Sequence, residues 1–135
     1  MSILTSQYIF PSHYPSGCPP QPQQELCGTY YRLFKNNRST DPSHYKSYYE
    51  LGINTNRFNP CARRALSIFS ERNDAINLSK NFPILGKYVA TLNLNGGHGI
   101  ICNNGNRRRK SHCDWWVPIG ICPANYCTCV EGPLP

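Results

Sequence analysis

The residues best suited to chemistry crowd into "GHGIICNNGNRRRKSHCDWW", Gly97 to Trp116, which holds two histidines, two cysteines, an aspartate, four consecutive cations and two tryptophans. Three chemistries fit these types. As a metal site, Cys102, His112 and Cys113 supply three zinc ligands, with His98, Cys127 or Cys129 as the fourth. The chain has no C-x-x-C pair, so the short chelating loop that preorganises structural zinc is missing and no metal is expected. As a nucleic-acid or polyanion element, Arg107, Arg108, Arg109 and Lys110 form a hairpin tip that contacts phosphates, with a tryptophan or tyrosine to stack on bases. As a catalytic rim, His98 and His112 face each other across one hairpin. One imidazole then takes a 2′-hydroxyl proton, the other protonates the leaving oxygen, and an arginine or lysine meets the charge on phosphorus, as a metal-independent ribonuclease requires. The rim is the preferred arrangement, with the hairpin base bringing His98, His112 and Trp115 towards Arg32.

Bulk properties narrow the setting for that hairpin. The 135 residues make one domain, and 14 Lys plus Arg against 7 Asp plus Glu leave a net charge of +7, which favours a phosphate-bearing or polyanionic partner. No run approaches the roughly 20 apolar residues that span a bilayer. The start "MSILTSQYIFPSHYPSG" has neither a basic opening nor a continuous apolar stretch before a cleavage site, so the expected location is the cytoplasm, away from membranes. There the eight cysteines are expected to stay mostly reduced, as buried thiols.

The elements that must position these residues read as α+β. Residues 1–26, with five of the 12 prolines and "PPQPQQ", predict an extended arm lying on a single domain formed by 27–135. "GTYYRLFKNN" predicts the first core strand. Asp41 as N-cap, Pro42 at the first position and Tyr45, Tyr48 and Tyr49 at helical spacing predict a helix of about ten residues that ends at Gly52. "INTNRFNP" reads as loop and Ala65 to Phe69 as a short strand. Ser70 then caps a second helix with Ala75, Leu78 and Phe82 on one side. "GKYVATLNLN" alternates cleanly, with Tyr88, Ala90, Leu92 and Leu94 facing one way. "GHGIIC", "DWWVPIG" and "NYCTCV" follow as short strands in antiparallel hairpins. On a strand Trp115 and Trp116 point to opposite faces, one into the core and the other free to line a cleft. The predicted architecture is thus a compact domain with two helices from its first half packed on a mostly antiparallel twisted sheet.

A second constellation lies in the first half. Arg32 sits in the middle of the first strand of "YYRLFKN". After "RFNPC", the strand and helix "ALSIFSERNDA" carry Ser67 and Ser70. This layout resembles the ADP-ribosyltransferase-like superfamily, including its small RES and related bacterial branches. In that family a first strand with Arg or His is followed by a helix, a loop, a strand whose Ser or Thr motif opens into a helix, and a later strand with an acidic residue. The resemblance covers roughly Gly28 to Val130 in layout. It implies that Arg32 clamps the NAD phosphates or nicotinamide ribose, that Ser67 structures the nicotinamide pocket, and that Trp115, Tyr30 or Tyr31 stacks on the ring. The family's late glutamate has no counterpart; the late acids are Asp114 and Glu131. Asp114 is the expected substitute, or His112 where an imidazole serves.

The expectation is therefore an NAD-consuming transferase or NADase, of the kind used as a bacterial toxin or effector, with NAD as substrate and a protein or nucleic acid as possible target. Two alternatives stand beside it: a ribonuclease-like toxin using the histidine pair, and a non-catalytic interaction or nucleic-acid-binding protein.

Overall fold

A computed structural model describes residues 8–20, 24–53 and 59–135. The expectations for 1–7, for the glutamines of 21–23 and for Arg57 and Phe58 of "RFNPC" lie outside the described residues. Seven strands form one antiparallel sheet: β1 (Gln24–Glu25), β2 (Gly28–Phe34), β3 (Leu66–Phe69), β4 (Tyr88–Leu94), β5 (Ile100–Asn103), β6 (His112–Trp116) and β7 (Cys127–Glu131). Their spatial order is β1-β5-β6-β3-β2-β4-β7. The fold is α+β, as the patterning implies.

Pairing departs from a run of successive hairpins. Only β5 and β6 join as one; β4 is inserted between β2 and β7, so the last strand crosses to the far edge. Register then sorts the side chains. Tyr31 lies opposite Phe69, and Tyr30 opposite Leu92. By the two-residue repeat of a strand, Tyr30, Leu66, Ile68, Leu92, Cys113 and Trp115 share one face, where they pack with Leu26 and Ile101 as the core. Leu26 is almost fully buried and β1 pairs with β5, so the predicted arm ends before Gln24 and its last residues belong to the domain.

The arm proper, residues 8–20, lies on the domain. Cys18 forms a disulfide with Cys61, Ile119 N–H donates to the Ile9 carbonyl, and Arg64 Nε donates to the His13 carbonyl at 2.9 Å. The cysteines are mostly free, as expected, but their expected burial is corrected. Two cysteines are bonded, and of the six free ones only Cys113 is buried.

Helix α2 (Arg72–Asn81) lies across β2, β3 and β4, on the second face, where Phe69 and Val89 are buried. Its inward residues are Ala75 and Ser79; Phe82 is half exposed, and Ser70 does not cap it. Instead the Ser70 N–H donates to the Ser111 carbonyl, and Glu71 occupies the cap position. The first predicted helix is divided. Asp41 caps a single 3-10 turn, Pro42–Tyr45, and a capping box between Ser47 and Glu50 starts a separate one-turn helix, α1 (Tyr48–Leu51). Ser47 competes for main-chain N–H groups mid-segment, which breaks the run that tyrosine spacing suggests.

One glycine is needed where the hairpin enters the sheet. Gly99 has φ +129°, and a Cβ there lies 2.4 Å from the Trp116 carbonyl oxygen and 2.8 Å from Trp115 Nε1. Gly99→Ala is expected to destabilise the fold by about 1–3 kcal/mol in chemical denaturation, because both the backbone and the buried indole must move.

Candidate active site

The second face of the sheet carries a polar patch between α2 and the turn that precedes β3. Ser67 on β3 lies directly opposite Asp114 on β6, and Asp114 lies directly opposite Cys102 on β5. His112 is two residues before Asp114 and therefore on the same face, opposite Phe69, against whose ring it packs. Ser67 is exposed, His112 is half-buried and Asp114 is recessed. The patch is thus an open mouth with a buried carboxyl at its floor.

Its geometry is that of a nucleophile and its base. The Ser67 Oγ lies 3.1 Å from His112 Nε2, and the other ring nitrogen, Nδ1, faces the Asn104 carbonyl oxygen at 3.4 Å. A carbonyl only accepts, so the proton of the neutral ring belongs on Nδ1 and Nε2 is left to accept from the serine hydroxyl. Asp114 Oδ1 lies 4.0 Å from the same Nε2, and its Oδ2 accepts from Asn104 Nδ2 at 3.1 Å. Both Ser67 and Asp114 therefore address Nε2, which differs from a relay in which the acid orients the opposite nitrogen. Asp114 is placed to stabilise the imidazolium that forms when His112 takes a proton.

Burial pushes the Asp114 carboxyl above its ordinary range, with His112 and the Asn104 amide opposing the shift. Burial likewise raises the neighbouring thiols, with Asp114 adding to it: Cys102 is raised, and Cys113 is pushed up to about 11. These thiols stay protonated and are poor nucleophiles near neutral pH. For Asp114 the folded state holds its proton at a pH where the unfolded chain has lost it. Stability from this group is therefore full below the ordinary carboxylate value and is lost as pH rises towards the folded value. In Asp114→Asn the amide oxygen still accepts from Asn104, so the melting temperature is expected to rise, by on the order of 3 °C at neutral pH and much less near pH 4. Thermal melts of both proteins at the two pH values check this.

The other predicted residues are placed differently. Arg32 lies on the core face, not beside the Ser67 hydroxyl. Its Nε donates to the His44 carbonyl and its Nη1 to the Ser67 carbonyl, both at 2.8 Å, and burial lowers its pKa to about 10. Both donors are committed to main chain, so the guanidinium pins β3 to the 3-10 turn and is not aimed at a ligand. Tyr31 does share the face of Ser67 and is half-buried there. Tyr30 is core, its hydroxyl within 3.1 Å of the Cys27 N–H. Trp115 is fully buried and donates Nε1–H to the His98 carbonyl at 2.9 Å, so it has no free ring face for a ligand. Trp116 is buried as well, under the Cys61 carbonyl that accepts from its indole.

The histidine pair is not assembled. Register places His112 beside Asn104, six residues along the hairpin from His98, or about 20 Å at the rise of a strand. His98 packs instead against Tyr126, with ring centroids 3.8 Å apart and the planes tilted by 31°. Among the described residues no three His, Cys, Asp or Glu side chains form a metal-holding group, and no helix is long and apolar enough to cross a membrane. On the core side, a cavity of about 230 Å³ is lined by Tyr14, Tyr45, Glu50 and Arg64, among others, and is smaller than the pockets that hold ligands of dinucleotide size.

Asn104 is the site residue that sequence reasoning missed. Its signal was present in "CNNG", since asparagines in a turn commonly bond neighbouring groups. No protein-family model, curated protein or solved structure matches this chain. What the fold and the site define is a class: an α+β protein with a serine–imidazole pair on an open sheet face, beside a basic hairpin.

Proposed function

We propose that the protein is an NAD-consuming enzyme, an ADP-ribosyltransferase or NAD glycohydrolase, working at Ser67, His112 and Asp114. The observation that carries this reading is the alignment of β3 with β6, which puts Ser67 opposite Asp114 and 3.1 Å from His112 Nε2. Element order supports it: an arginine-bearing strand, short helices, a loop, a serine-bearing strand that opens into a helix, and a later strand with an acid. This is the order the resemblance implies.

The chemistry follows from the chain's own groups. At a ribosyl carbon the charge that develops is positive, and a recessed carboxylate facing it stabilises the transition state. Asp114 supplies that carboxylate. His112 takes the proton of the attacking hydroxyl or water, and Ser67 holds the imidazole and a ribose or amide group in place. The phosphates fall to Arg107, Arg108 and Lys110 at the rim, since Arg32 is committed elsewhere.

The test is nicotinamide release from NAD by purified protein in EDTA, with a thermal melt alongside. Release, with an upward shift in melting temperature, is expected, because a ligand selective for the folded state stabilises it by mass action. The absence of both release and a shift at millimolar NAD would sink the reading.

A further inference from the structure

The hairpin loop between β5 and β6 is built more firmly than a solvated charge run needs to be. Asn106 Oδ1 accepts from the N–H groups of Arg108 and Arg109 at 2.9 and 3.0 Å, and Asn103 bonds both Gly105 N–H and the Lys110 carbonyl. Gly105 is required, because a Cβ there lies 2.1 Å from the Lys110 carbonyl oxygen. The loop is also tied to α2. Arg109 Nη1 donates to Asn77 Oδ1 at 2.9 Å, while Ser111 donates through N–H and hydroxyl to Asp74 Oδ2. Arg107, Arg108 and Lys110 remain, exposed, with no side-chain hydrogen bond or ion pair among the described residues. Two residues further along is His112.

Three unpaired cations are thus held on a braced loop at the mouth of the Ser67 patch. None of the exposed large hydrophobic residues lies in this loop, so a partner there is recognised by charge and not by apolar burial. The two arginines can hold phosphate oxygens bidentately. On the sheet face next to the loop, the Asp114 carboxyl is buried and the His112 imidazole half-buried, so a nucleotide that reaches them must be free of a pairing partner. Tyr31 lies half-buried on that same face, an aromatic residue of the kind that stacks on bases.

We propose that residues 103–111 form a docking hook for single-stranded nucleic acid, which it presents to the Ser67–His112 patch. This names the macromolecular partner of the site proposed above, but the binding needs no turnover.

The experiment is fluorescence polarisation of the full chain with a labelled single strand of about 12 nucleotides, as DNA and as RNA, from about 50 to about 200 mM salt. A matching duplex and polyglutamate serve as competitors. Binding that weakens steeply with salt is expected, and Arg107→Ala/Arg108→Ala/Lys110→Ala is expected to cut affinity at least about 10-fold and flatten the log–log salt slope by about 2, at roughly 0.7 per phosphate contact. A preference between the DNA and RNA arms identifies which strand is the partner. No binding at the lowest salt, an unchanged slope in the triple variant, or equal competition by duplex or polyglutamate would overturn the hook. If the oligonucleotide binds while NAD is untouched, the hook stands and the enzymatic reading falls; the reverse result separates them the other way.

Discussion

His112→Ala is expected to lower nicotinamide release from NAD by about 10²–10³-fold while leaving the melting temperature within a degree or two of the parent. The rate loss follows from removing the imidazole that lies within hydrogen-bond reach of Ser67, and general acid–base groups contribute on this scale. The melting temperature holds because His112 is half-buried and its ring contacts are with Ser67, Asn104, Asp114 and the Phe69 ring. Ser67→Ala lies on an exposed strand position and is expected to fold equally well. If serine and histidine act as a unit, the double variant is no slower than the worse single one. Rates that fall independently and multiply would show that the 3.1 Å contact is structural only, and rates unchanged in both variants would remove the patch as the site.

Arg32→Ala is expected to cost about 3–4 kcal/mol of stability. Two charge-assisted bonds disappear, the carbonyls of His44 and Ser67 lose their donors, and a void opens between β2 and the 3-10 turn. Chemical denaturation measures the loss directly. Assayed well below its melting temperature, the variant should keep the proposed NAD turnover within about threefold, since Arg32 faces away from Ser67 Oγ. Arg32→Met restores packing without the desolvated charge and is expected to recover part of the stability. A variant that keeps its stability but loses NAD binding would show that Arg32 clamps phosphate after all.

The contrast between these two residues shows where sequence reasoning reaches its limit. Arg32 and Ser67 were both legible as polar residues on core strands, and the resemblance paired them in one pocket. Whether they meet depends on how β2 aligns with β3, because a slip of one residue turns every side chain to the other face. The observed pairing of Tyr31 with Phe69 puts Tyr31 on the side of Ser67 and Arg32 on the side of Leu66 and Ile68. Nothing local to either strand sets that alignment.

Other features were open to direct reading. The alternation in β4, the aromatic strand β2 and the basic hairpin tip each follow from residue type and the two-residue repeat of a strand, and all are present. The histidine pair failed for a reason like that of Arg32: the register of β5 on β6 puts His112 near the loop, opposite Asn104, while His98 lies at the base of the hairpin. The helix over 41–51 failed because Ser47 and Glu50 make a local cap that the tyrosine pattern does not reveal.

By itself, then, the sequence determined the strands after β1, the α+β class, the charge and the chemical types available, since these depend on side chains and short-range periodicity. The tertiary structure alone decided that β4 lies between β2 and β7, that Cys18 meets Cys61, and that Ser67, His112 and Asp114 share a face which Arg32 does not. Those outcomes rest on long-range register and strand order, chosen by which alignment buries the most apolar surface across the whole sheet.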